Sequence, residues 1–164
     1  MGEENSMKLI NKKENILLGA LFIISLLLSH LNMFSYTNQN TNPEYFIAFF
    51  TIILNIKQLH FSLMKVFLLG LIIDTFVGLV LGQYAFSFLM MVLFHKIYNH
   101  YLNAASEEQK IFLQFFTILI GVVCLKLVAI SNLTEGLDFV NIILIFILTF
   151  LTFFIFQFLS KRLI

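Results

Sequence analysis

The sequence predicts an all-α protein, a polytopic membrane helix bundle of six transmembrane helices. Three observations carry that prediction. Apolar residues make up 60% of the 164-residue chain and charged residues only 12%, against roughly 25% charge in a soluble domain. The apolar residues fall in long tracts, among them 16–28, 111–130 and 140–159, and the longest match the roughly 20 residues that cross a hydrocarbon core. The Lys and Arg residues, finally, cluster at alternate ends of those tracts.

Six spans follow in order. The first, 16–34, is preceded by a short tail, 1–15, with Lys8, Lys12 and Lys13. This start superficially resembles a signal peptide, but Ser29–His30–Leu31–Asn32 offers no small-residue cleavage pattern, and a retained first helix is expected. The second, 44–56, is the shortest and is also open to a re-entrant or interfacial reading. Pro43 and Glu44 suit its opening turn, where a missing N–H costs nothing and an acid meets the positive end of the helix. The third and fourth, 62–82 and 84–102, are joined by a tight turn, and the fifth and sixth cover 111–130 and 139–159.

No Lys or Arg stands in the 35–43 loop, at Gly82–Gln83 or between Ser131 and Asp138, whereas Lys57, Lys96, Lys110, Lys161 and Arg162 mark the other side. The positive-inside rule then places both termini in the cytoplasm, in keeping with the integral inner-membrane type protein that the composition predicts. Omitting the second span would carry Lys161 and Arg162 outside. The extramembrane segments are too short to bury a core, so a single membrane domain over 1–164 is expected.

A net charge of +1 gives no footprint for nucleic acid, and the single cysteine, Cys124, excludes a disulfide framework or a clustered-thiolate zinc site within one chain. His30 lies near the outer side while His60, His95 and His100 lie near the cytoplasmic side, which argues against one shared metal centre. No HExxH, GxSxG or phosphate-loop pattern occurs. A non-enzyme without a cofactor is the expectation.

The third span holds the most informative stretch. Gly70, Asp74, Gly78 and Gly82 recur every four residues and form a stripe on a continuous helix, a candidate helix-packing or partner interface. A carboxylate at membrane depth costs about 2.5–3.5 kcal/mol, so Asp74 should face the bundle interior, a polar cavity or a partner. A structural interhelix hydrogen bond is its leading role, with ion, proton or substrate coordination as the alternative. Lys65, nine residues earlier, is about 13–14 Å away along the helix and out of direct reach. Lys126 has three arrangements open to it: snorkelling outward, pairing with Glu135 or Asp138, or a buried pair with Asp74. The 21 phenylalanines have no cofactor-like spacing and suit lipid contact or edge-to-face packing. Tyr36, Tyr45, Tyr84, Tyr98 and Tyr101 serve as depth markers near the interfaces.

The stretch formed by Phe67, Leu69–Gly70, Asp74, Gly78, Leu81–Gly82 and Ala85, preceded by Pro43–Glu44–Tyr45, resembles the rod shape-determining membrane protein MreD family. About 45 residues carry that resemblance. It implies a compact bundle of five or six spans and a non-enzymatic membrane component of the bacterial elongation complex. The partners it implies are an MreC-like protein, the MreB-linked cytoskeleton and the cell-wall synthases, alongside membrane lipids. The stretch Val77–Gly78–Leu79–Val80 is more apolar than the corresponding turn in relatives. The competing reading is a substrate-binding membrane subunit of an energy-coupled small-molecule uptake system, which requires convergent polar groups around an outward cavity.

Overall fold

Six α-helices form the computed structural model, which describes residues 2–30, 42–56, 62–77, 81–102, 106–132 and 139–163, and no strand occurs among the described residues. In chain order they are α1 (Gly2–His30), α2 (Tyr45–Ile56), α3 (Leu63–Val77), α4 (Gln83–Leu102), α5 (Glu107–Asn132) and α6 (Phe139–Leu163). Each expected span overlaps a helix; residues 31–34 of the first and 78–80 of the third lie outside the described residues. Residues 2–15, expected as a tail, belong to α1, because no Gly or Pro between Glu3 and Asn15 interrupts the helix. Within the third span, expected over 62–82, α3 covers Leu63–Val77 and Leu81–Gly82 form a turn. Gly82 has φ +100°, a left-handed conformation that an α-helix cannot contain and that glycine adopts without a Cβ penalty.

The helix α2 occupies the centre. Tyr45 to Ile52 are all buried, and α1, α4, α5 and α6 pack around it. Its register comes from ring and glycine contacts. Phe46 meets the edge of Tyr84 at 5.7 Å and Phe50 stacks on Phe88 at 4.2 Å, so α2 and α4 run parallel. Ile47 lies against Gly121 while Glu44 reaches Lys126, so α2 runs antiparallel to α5. Small residues set the closest approaches: a Cβ on Gly121 would come within 2.7 Å of the Met91 sulfur.

The helices α3 and α4 form an antiparallel hairpin at one side, and their approach is closer still. A Cβ on Gly70 would overlap the Cα of Ala85 and stand 2.9 Å from the carbonyl carbon of Tyr84. Backbone lies on backbone there. By contrast α5 and α6 meet through rings: Phe115 is edge-on to Phe146 at 4.8 Å and to Phe150 at 5.3 Å. Among the described phenylalanines, one cluster thus surrounds α2, with Phe22, Phe46, Phe49, Phe50 and Phe88, another lies between α5 and α6, and Phe67, Phe76, Phe86, Phe112, Phe139 and Phe158 are exposed.

The outer surface is apolar. Ile23 and Leu27 on α1, Leu68, Ile72 and Phe76 on α3, Ile97 on α4, Leu127 on α5 and Ile143, Ile147, Leu151 and Phe158 on α6 are all exposed. Isolated apolar side chains on a surface mean little, but contiguous faces of this kind mark contact with lipid or protein. Among the described residues, α5 and α6 are the two helices long and apolar enough to cross a membrane, through 22-residue stretches over Glu108–Ala129 and Phe139–Ser160. Ile16–His30 and Tyr45–Asn55 are apolar but shorter. Although α4 has 20 residues, His95, Lys96, Asn99 and His100 make its second half polar.

Candidate functional site

Asp74 and Gly70 are four residues apart on α3 and therefore share the face turned to α4. A helix begins with N–H groups that have no partner within it. At the start of α4 the carbonyl of Gly82 accepts the first helical bond, from Phe86 N–H at 2.9 Å, so Gly82 is the capping residue and brings no side chain to cap with. Asp74 supplies the missing group from the neighbouring helix. Its Oδ2 accepts the Gly82 N–H and its Oδ1 accepts the Tyr84 N–H, each at 2.9 Å. The carboxylate also faces the positive end of α4 and is fully buried. One side chain thus does what a capping box does with two.

Tyr84 extends the arrangement across the bundle. Its hydroxyl donates to Glu44 Oε2 at 2.7 Å, and the other oxygen, Oε1, pairs with Lys126 Nζ at 3.3 Å. Glu44 precedes α2, where its carbonyl accepts the Ile47 and Ala48 N–H groups. Its own N–H donates to Thr149 Oγ1 at 2.9 Å, and the Thr149 hydroxyl donates onward to the Ile145 carbonyl at 2.7 Å. A continuous run of polar contacts therefore links α3, α4, the start of α2, α5 and α6. The pair is largely shielded from solvent, with side-chain exposure of 24% for Lys126 and 12% for Glu44. Polar groups at such positions are costly unless each has a partner, and these do.

Several sequence expectations are refined by this geometry. The expected stripe of Gly70, Asp74, Gly78 and Gly82 is not a single helical face: Gly82 sits in the turn, and Gly78 lies outside the described residues. Gly70 is used inside the chain, against α4. Lys126 pairs with Glu44, and not with Asp74, whose oxygens are taken by backbone amides; Glu135 and Asp138, its other expected partners, lie outside the described residues, as does His60. Pro43 precedes the capping position at Glu44, but the Glu44 carboxylate is directed to Tyr84 and Lys126 on other helices and does not cap its own.

Tyr84 was legible only as an interfacial ring, yet it is the connection between the two acids. The available signal was its place one residue after the Gly82–Gln83 turn, where an N–H and a side chain from the same residue both face inward. The Glu44–Lys126 pair joins residues 82 positions apart, and nothing local announces it. Two opposite charges inside apolar tracts were the one hint.

Both Glu44 oxygens and both Asp74 oxygens are engaged. The buried hydroxyls of Ser25, Thr51, Ser87 and Thr117 donate to carbonyls four residues earlier in their own helices at 2.8–2.9 Å, so each is satisfied locally and none is paired with a general base. Among the described residues, no group of three or more His, Cys, Asp or Glu converges as a metal site. Compared with known families, characterised proteins and solved structures, the chain has no significant match.

Proposed function

We propose that the chain is a polytopic bundle of six spans in a bacterial cytoplasmic membrane, with both termini cytoplasmic, and a non-enzymatic component of the cell-elongation complex. Its role there is to help couple the MreB cytoskeleton and an MreC-like protein to peptidoglycan synthesis. The observation that carries this reading is that five residues of the MreD-like pattern meet in one place: Gly70 lies on Ala85, Asp74 accepts the Gly82 N–H, and Glu44 joins them through Tyr84, a residue outside the pattern. These residues belong to a pinned hairpin joined to a central helix. Because the glycine side of α3 is used internally, the surface left for lipid or a partner is its outer side, with Leu68, Ile72 and Phe76.

A multi-pass reading also accounts for the apolar exterior of α1, α3, α4 and α6, which water would not tolerate. The second reading, a substrate-binding subunit of an energy-coupled uptake system, is favoured by the convergence of Glu44, Tyr84, Lys126 and Thr149; against it, those groups already satisfy one another. Affinity purification of the full chain from its own membranes separates the two. Recovery of an MreC-like protein and elongation synthases, with cell rounding on depletion, supports the first reading. A stoichiometric small ligand together with an ATPase-linked scaffold would overturn it.

A further inference from the structure

Glu44 holds both members of the α5/α6 pair at once, Lys126 through its side chain and Thr149 through its backbone N–H. Lys126 is six residues before the end of α5 and Thr149 is ten residues after the start of α6, so one residue at the start of α2 is tied to both helices. The buried surroundings of α2 are otherwise mostly hydrocarbon, including Ile118, Val122, Ile145 and Phe153. In lipid, hydrocarbon contacts between helices have no hydrophobic advantage over contacts with acyl chains, and polar bonds between helices weigh more heavily in deciding which arrangement is occupied.

We propose that Glu44 is a clasp that holds α5 against the start of α2, which its backbone N–H ties in turn to α6. With the Glu44–Lys126 pair made, the bundle is closed over the first turn of α2. When the pair is lost, α5 parts from α2 and that turn becomes accessible. Glu44 and Lys126 have complementary parts: each removes the desolvation cost of the other, so the loss of either leaves an uncompensated charge that is best relieved by opening toward water or headgroups. The clasp is independent of which partner or ligand the protein serves, since it needs only a bundle in lipid.

Cys124, the single cysteine, is two residues before Lys126 and so lies on the opposite side of α5, where it does not report on the clasp. The reporter is therefore Ile47→Cys in a Cys124→Ser background, since Ile47 belongs to the first turn of α2, is fully buried and lies against Gly121 of α5. The test measures the rate at which N-ethylmaleimide modifies the introduced thiol in the full chain, in native membranes. Glu44→Gln and Lys126→Met should each raise the rate about tenfold, the effect of losing roughly one charge-assisted hydrogen bond. The exchange variant, Glu44→Lys with Lys126→Glu, should return it to near the parent value. Phe153→Ala, which loosens the core without touching the clasp, should lower thermal stability and raise the rate far less. Unchanged modification in both single variants overturns the proposal, as does an exchange variant that reacts as fast as they do, or a Phe153→Ala rate that matches theirs. Should the single variants fail to accumulate, restored accumulation in the exchange variant supports the clasp and its absence counts against it.

Discussion

The α3/α4 hairpin and the α5/α6 pair each join helices that are sequential in the chain, yet they are held by opposite means. In the hairpin, backbone touches backbone at Gly70 and Ala85, and a buried carboxylate takes two amides at the turn. In the α5/α6 pair, Phe115 is set edge-on between Phe146 and Phe150, and side chains keep the backbones apart. Glycine contacts and amide bonds are directional and tolerate little displacement, whereas ring contacts are individually weak and admit small shifts in register. The difference teaches that the hairpin is built to hold one geometry and the ring-packed pair to hold together. The Glu44 contacts are where the second kind of packing is fastened to the first.

The sharpest way to break this contrast is Asp74→Ala. It leaves two amides at the start of α4 without acceptors, that of Tyr84 buried and that of Gly82 partly so, and at about 1.5–3 kcal/mol for each bond to a charged group the expected loss is about 3–6 kcal/mol. Thermal unfolding of the detergent-solubilised chain, followed by circular dichroism, measures it; the same variant should reduce recovery of the partner complex. Asp74→Asn keeps one acceptor and should lose about half as much. Next comes Gly70→Val, expected to cost about 3 kcal/mol because the first added carbon meets backbone that has no rotamer to move to. Phe150→Leu should cost only about 1 kcal/mol, the ring contacts being replaced by aliphatic ones of similar bulk. If it proves as damaging as Asp74→Ala, the distinction between pinned and ring-packed regions fails. Ile155→Ala, at a position on the outer face of α6 that is 58% exposed, should stay within about 0.5 kcal/mol. A larger loss would show that this face is covered by protein and not by lipid.

Much of this architecture was legible in the sequence for a simple reason: apolar tract length is a local property. Each of the six helices contains one of the apolar tracts, and the tract of α2 could be counted directly at 12 residues. Asp74 stood out because an acid within an apolar run demands a partner. What the partner is could not be read, since the expected companions were side chains and the observed ones are the amides of Gly82 and Tyr84. Gly82 shows a related limit. Four-residue spacing fits a helical stripe and also fits a helix that stops and turns, and a backbone dihedral decides between them. The clasp was least accessible, because Glu44, Lys126 and Thr149 come from three separate helices. Their meeting is a product of the fold.

The contact of Gly70 with Ala85 has a consequence for how the hairpin tolerates change. Asp74 reaches the amides of Gly82 and Tyr84 only because the two backbones lie so close, one helical turn away from Gly70. Separation of the helices at Gly70 therefore also lengthens the bonds at Asp74, and the combined change Gly70→Val with Asp74→Ala should cost less than the sum of the two separate costs.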